Sequence, residues 1–119
     1  MAERTGANVP VTARTAAAGA LSVTVEVTNW VSRYVGGDGA GSRCFEEALQ
    51  PGDTVGGVLR RYSARFPDLD AALWSPGKAS LGEHIEVLVN DAVLGVSHDL
   101  DSPLDGGERI VLLGQFMGG

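Results

Sequence analysis

The segment Arg109-Ile110-Val111-Leu112-Leu113 constrains the fold more than any other stretch of the chain. A strand with one wet face alternates apolar and polar residues, whereas this run is apolar at four consecutive positions. Such a run suits a strand inside a sheet, covered on at least one face. It comes late in the sequence, with only Gly114-Gln115-Phe116-Met117-Gly118-Gly119 after it. A late central strand must find its neighbours among earlier segments, and anything after it is carried out from the middle of the sheet.

Those neighbours can be read from periodicity. Leu21, Val23, Val25 and Val27 alternate with Ser22, Thr24 and Glu26, the period-2 pattern of a half-buried strand, which is expected to run on through Trp30 and Val31. Residues 36–42, GGDGAGS, read as a hairpin loop, and residues 43–49 as a second strand that pairs back on the first. Pro51-Gly52-Asp53-Thr54 is a turn and a helix start, with Asp53 or Thr54 as N-cap. Val55, Val58, Leu59, Tyr62 and Phe66 then form one apolar stripe on a helix of about three turns, and Pro67 is expected to stop it. Gly56 and Gly57 weaken its first turn, so tertiary packing must hold it. Residues 67–82 read as a connector with a helical turn near 68–74. Residues 84–90 read as a strand with Ile85, Val87 and Val89 on one face, ended by an Asn90-Asp91 turn.

Hairpin, helix, strand, link, strand, with the last strand central, is the β-grasp arrangement. The expected fold is therefore α+β, a mixed sheet of four to five strands with one main helix packed on one face. A ferredoxin-like alternative needs a second long helix that the pattern lacks. Residues 1–19 read as a flexible tail, residues 20–119 as one domain, and residues 114–119 as its exposed end.

Composition removes several functions. A net charge of −6 over 119 residues argues against nucleic acid as partner, since phosphate contacts need a surplus of cations. No apolar run approaches the roughly 18 residues of a membrane span, and the N-terminal stretch lacks the apolar segment of a signal peptide. The single cysteine, Cys44, excludes an intrachain disulfide and fits a cytoplasmic location. His84 and His98 have no Cys or acid cluster at ligand spacing, so no metal site is expected. GGDGAG lacks the Lys and Ser/Thr of a phosphate-binding loop. Arg60, Arg61 and Arg65 read as a solvated helix face, and Leu113 as core.

The stretches VLVND (87–91), PLDGGERIVLL (103–113) and MGG (117–119) resemble the MoaD/ThiS family of ubiquitin-like sulfur carriers. The resemblance spans roughly residues 21–119, and members that carry sulfur for cysteine synthesis are especially similar across residues 75–91. Asn90, Pro103, Leu104, Gly107, Ile110 and Gly118-Gly119 fit family positions. The chain departs from the pattern at Gly114-Gln115, where prolines are common, and at Phe116-Met117, where a small residue often precedes Gly-Gly.

The resemblance implies a protein co-substrate rather than an enzyme. An E1-like adenylyltransferase/sulfurtransferase uses ATP to adenylate the carboxylate of Gly119, a sulfur donor converts it to a thiocarboxylate, and a sulfur-accepting biosynthetic enzyme takes the sulfur. The carrier binds no cofactor and is expected to be a monomer when free. Gly118 and Gly119 carry the chemistry because a backbone without Cβ atoms can enter a narrow channel beside a nucleotide. Gly114, Gln115, Phe116 and Met117 are the partner-binding candidates; Phe116 and Met117 either anchor a partner, where aromatic and Met residues are enriched, or tuck back onto the sheet edge. Two other readings stay open: a ubiquitin-type modifier linked through Gly119 to lysines, and a binding module whose Gly-Gly is incidental. With 17 glycines in the chain, against about 7% in an average protein, two terminal glycines alone are a weak signal.

Overall fold

The computed structural model describes residues 21–77 and 80–115. Five strands form one mixed sheet: β1 (Ser22–Thr28), β2 (Ser42–Ala48), β3 (Ile85–Val89), β4 (Ala92–Val93) and β5 (Arg109–Gly114), in the order β2-β1-β5-β3-β4. β5 is central, parallel to β1 and antiparallel to β3. Helices α1 (Val55–Ser63) and α2 (Pro67–Leu73) and a 3₁₀ helix (Asn29–Val35) complete the fold. The sheet is the expected β-grasp, with α1 as its main helix.

One face of the sheet meets the helices. Val23, Val25 and Val27 of β1, Ile85, Val87 and Val89 of β3, and Ile110 and Leu112 of β5 are all buried, as the period-2 pleat requires. Against them pack Val55, Val58, Leu59 and Tyr62 of α1 and Leu69 and Leu73 of α2. Phe45, Tyr62 and Phe66 form an aromatic cluster with ring centroids 5.3 to 5.9 Å apart.

The weak start of α1 is rescued from outside the helix. Thr54 is the N-cap, its hydroxyl accepting from the Gly57 N–H at 3.1 Å. The Val55 and Gly56 N–H groups donate to the carbonyls of Ser102 and Leu100. A Cβ at Gly56 would lie 3.0 Å from that Leu100 oxygen, so glycine is what lets the 100–102 loop close over the helix end. Asp53, the other cap candidate, pairs with Arg61 instead, which with the Gln50 N–H holds its carboxyl below the usual range.

Four expectations need correction. β1 does not continue through Trp30 and Val31: it stops at Thr28, and Asn29 turns into the left-handed region at φ 51° to begin the 3₁₀ helix. α1 ends at Ser63, before Pro67, and Pro67 opens α2, where its missing N–H costs nothing. Phe66 is consequently the cap of α2 rather than the last residue of the α1 stripe. Leu113 is not core; it points to the outer sheet face and is 37% exposed. The two-residue strand β4 is too short to show a period. Asn90 and Asp91 both have positive φ, the signature of a two-residue hairpin turn, and link it to β3.

Nor do the arginines form a merely solvated face. Arg65 pairs with the buried Glu47 carboxylate of β2 and lies over the Tyr62 ring, while Arg60 lies over the ring of Trp74. Cys44 sits exposed on β2.

Candidate functional site: the root of the tail

Of the candidate site residues, Gly114 and Gln115 are described; Phe116, Met117, Gly118 and Gly119 lie outside the described residues. The site that can be built is therefore the point where the tail leaves the sheet.

β1 and β5 run in parallel register from Thr24↔Arg109 to Thr28↔Leu113. The next pair would be Asn29 with Gly114, but the backbone has already turned away. The Asn29 side chain takes its place. Its amide nitrogen donates to the Gly114 carbonyl at 3.0 Å, and its oxygen accepts from the Gly114 N–H at 3.0 Å. One carboxamide thus supplies both the donor and the acceptor that a neighbouring strand would have offered.

Gln115 is held in the same way one step on. Its carbonyl accepts from the Trp30 indole N–H at 3.2 Å, and its N–H donates to the His84 carbonyl at 2.8 Å. Its side-chain amide donates to Glu86 at 2.6 Å. Trp30 is steadied by an edge contact with Tyr34, the rings perpendicular with centroids 6.1 Å apart. Gly114 is buried, and the indole lies where a side chain would go. A Cβ there would run into Trp30 and come within 2.7 Å of the Asn29 oxygen. The glycine that departs from the family pattern is thus demanded by the carboxamide that binds it and the indole packed over it.

Asn29 and Trp30 were missed in the sequence because both sit where the alternating pattern of β1 was extended through them. The available signal was Asn29 itself, a turn-forming residue at the point where the alternation breaks. His84, considered only as a metal ligand, contributes its backbone carbonyl. Among the described residues no group of three or more His, Cys, Asp or Glu could hold a metal ion, and no helix is long and apolar enough to cross a membrane.

Beside the root, the outer sheet face presents Leu113 and Val111 of β5, Leu88 of β3 and Val93 of β4. Their registers place them next to one another. Glu26 and Glu86 share this face, as does Arg109, which pairs with Glu26.

No protein-family model matches the chain, and no curated protein matches it in sequence. Its fold, by contrast, is that of known small proteins of the ubiquitin-like β-grasp class. SAMP1 from Haloferax volcanii superposes with a TM-score of 0.67 at 20% identity, over 82% of this chain and 99% of that one. A chain of the BexX/CysO complex from Amycolatopsis orientalis gives 0.59 at 23% identity, over 82% and 99%. CysO from Mycobacterium tuberculosis gives 0.57 at 22%, over 79% and 99%. The likeness is one of fold, and it is the fold that the MoaD/ThiS resemblance led us to expect.

Proposed function

We propose that this chain is a sulfur carrier whose working group is the carboxylate of Gly119. The observation that carries the reading is the position of the tail root, at the end of the central strand and tied on both sides, so that a rigid body presents the residues beyond Gln115.

In this reading an E1-like enzyme supplies ATP. The Gly119 carboxylate attacks the α-phosphorus, a P–O bond forms, and pyrophosphate leaves. Sulfide then attacks the acyl carbon, the bond to AMP breaks, and a thiocarboxylate remains. A sulfur-accepting enzyme takes the sulfur, the acyl C–S bond breaks, and water supplies the oxygen that restores the carboxylate. The chain supplies no catalytic side chain to any of these steps; it binds, presents and fits. Leu113, exposed beside the root, offers the partner an apolar contact, with Gln115, Phe116 and Met117 leading from it to the reactive end.

Intact mass tests the proposal. With its activating enzyme, ATP and sulfide the chain should gain about 16 Da as sulfur replaces oxygen in a covalently activated intermediate. A mass unchanged by every adenylating enzyme of the same organism would remove the reading. The description of a neighbour as a small archaeal modifier protein favours a second outcome, in which Gly119 is joined to lysine amines of other proteins. Lysine conjugates in extract, lost on deletion of Gly119, would identify it. An incidental Gly-Gly predicts no loss of any function on that deletion.

A further inference from the structure

We propose that Asn29 and Trp30 are positioning residues for the reactive terminus, an inference that rests on the carrier reading above. Both lie in the 3₁₀ helix, 85 positions before the backbone groups they hold, and neither belongs to the tail. Between them they hold the β1 side of the root, while Ile85 and the His84 carbonyl hold its β3 side. The strand ladder ends at Leu113 on the β1 side, and these two side chains extend it to Gln115.

The extension matters for reach. Residues 116–119, which lead from Gln115 to Gly119, can span at most about 14 Å when fully extended. A partner that reacts with Gly119 must therefore bring its reacting atoms within that distance of the root, and so close to the 3₁₀ helix. Without the clamp the root would be held from the β3 side alone, by Ile85 and the His84 carbonyl, and its direction would be less closely fixed. Holding reacting groups in near-attack geometry is worth orders of magnitude in rate, so a loosened root costs turnover. It should cost little in affinity, because the outer sheet face is untouched.

The test uses two variants of the full chain. Asn29→Gly keeps the backbone at φ 51°, which glycine adopts freely, and removes both carboxamide bonds. Trp30→Phe keeps an aromatic ring and removes the N–H that binds the Gln115 carbonyl. Amide exchange is measured at Gly114 and Gln115, with Leu112 as the report that the fold is intact. Adenylation is measured with ATP and the E1-like enzyme of the same organism.

The expected result for Asn29→Gly is exchange about tenfold faster at Gly114, whose N–H loses its acceptor, with a smaller change at Gln115, whose N–H keeps the His84 carbonyl, and none at Leu112. Its kcat should fall about three- to tenfold with KM within about twofold, and Trp30→Phe should move both in the same direction by less. Faster exchange with kcat unchanged would overturn the proposal, as would a loss carried by KM alone. Exchange that neither variant alters would show that the clamp does not order the root. Should the exchange differences appear while no enzyme charges the wild-type chain, the carrier reading is what fails, and the positioning role falls with it.

Discussion

The two ends of β5 are built on one plan with different chemistry. At each end an asparagine in the left-handed region, Asn90 before the strand's first pair and Asn29 beside its last, satisfies β5 with its side chain, although Asn90 also keeps a backbone bond, its N–H donating to the Arg109 carbonyl. At the start, the Asn90 oxygen accepts from the Arg109 N–H at 3.0 Å, and the Arg109 guanidinium spans Glu26 and Asp91 on the surface. Just before it, the Glu108 carboxylate accepts from the Asp105 and Gly106 N–H groups at 2.8 Å each and fixes the turn that feeds the strand. At the finish the contacts are a carboxamide on Gly114, an indole on the Gln115 carbonyl and a glycine that accommodates them, with the Glu86 carboxylate accepting from the Gln115 side chain. The strand thus begins in an ionic setting, whereas its last backbone groups are held by neutral side chains in a sterically tight site. Charges tolerate imprecise geometry, whereas a ring packed on a glycine does not.

The sharpest way to break this contrast is Gly114→Ala. The added methyl group meets the indole and the Asn29 oxygen, and overpacking of this kind costs about 1–3 kcal/mol. Urea titration should register the loss, with a shifted indole N–H resonance for Trp30. Stability within experimental error of wild type would mean that the finish is as forgiving as the start.

Glu108→Gln probes the other end, with an expected loss of about 1–2 kcal/mol at neutral pH, because hydrogen bonds to a charged acceptor are replaced by weaker ones. Burial pushes the Glu108 carboxyl upward, but the backbone N–H groups of Asp105, Gly106 and Glu108, with His98 nearby, outweigh it and leave the folded pKa depressed. A depressed carboxyl contributes its full stability above the unfolded value, here 4.5, and loses it as pH falls through the folded value. The gap between wild type and Glu108→Gln should accordingly narrow below pH 4.5. A gap that stays constant down to pH 2.5 (about two units below the carboxyl's ordinary value) would contradict this account.

The smallest effect is expected from Arg109→Ala. Its partners are surface carboxylates and its side chain is 48% exposed, so the change should stay under about 1 kcal/mol and shrink as salt is added. The Gly114→Ala effect should be insensitive to salt. Equal salt dependence of the two would erase the distinction between the ends.

How much of this could be read in the sequence follows the same division. The starting end was legible: Asn90-Asp91 announces a turn and Arg109-to-Leu113 announces a buried strand, because both signals are local. The alternation of Val23, Val25 and Val27 and the stripe of Val55, Val58, Leu59 and Tyr62 gave β1 and α1 for the same reason. The finishing end was not legible. That Asn29 would stand in for a strand, and that Trp30 would occupy the space above Gly114, depends on segments 85 positions apart in the chain. Leu113 was misplaced because an unbroken apolar run hides which face each residue takes; the register with Thr28 and Glu86 decides it. Pro67 was read as a stop when it is a start, since proline at a first helical position and proline after a last one look alike in sequence.

The topology also has a consequence for how the molecule is made. β1 is among the first elements to leave the ribosome, yet the partner that fills the gap between it and β3 is β5, the last strand to be translated. Until β5 arrives, β1 and β3 each present an unpaired edge, and the pairs that seal β1, such as Thr24 with Arg109, are far apart in the chain. Folding should be slow for a domain of this size, because distant pairings must close large loops before any gain is realised. A polypeptide truncated before β5 lacks the strand that closes its sheet and leaves the inner edges of β1 and β3 open to pairing with other chains.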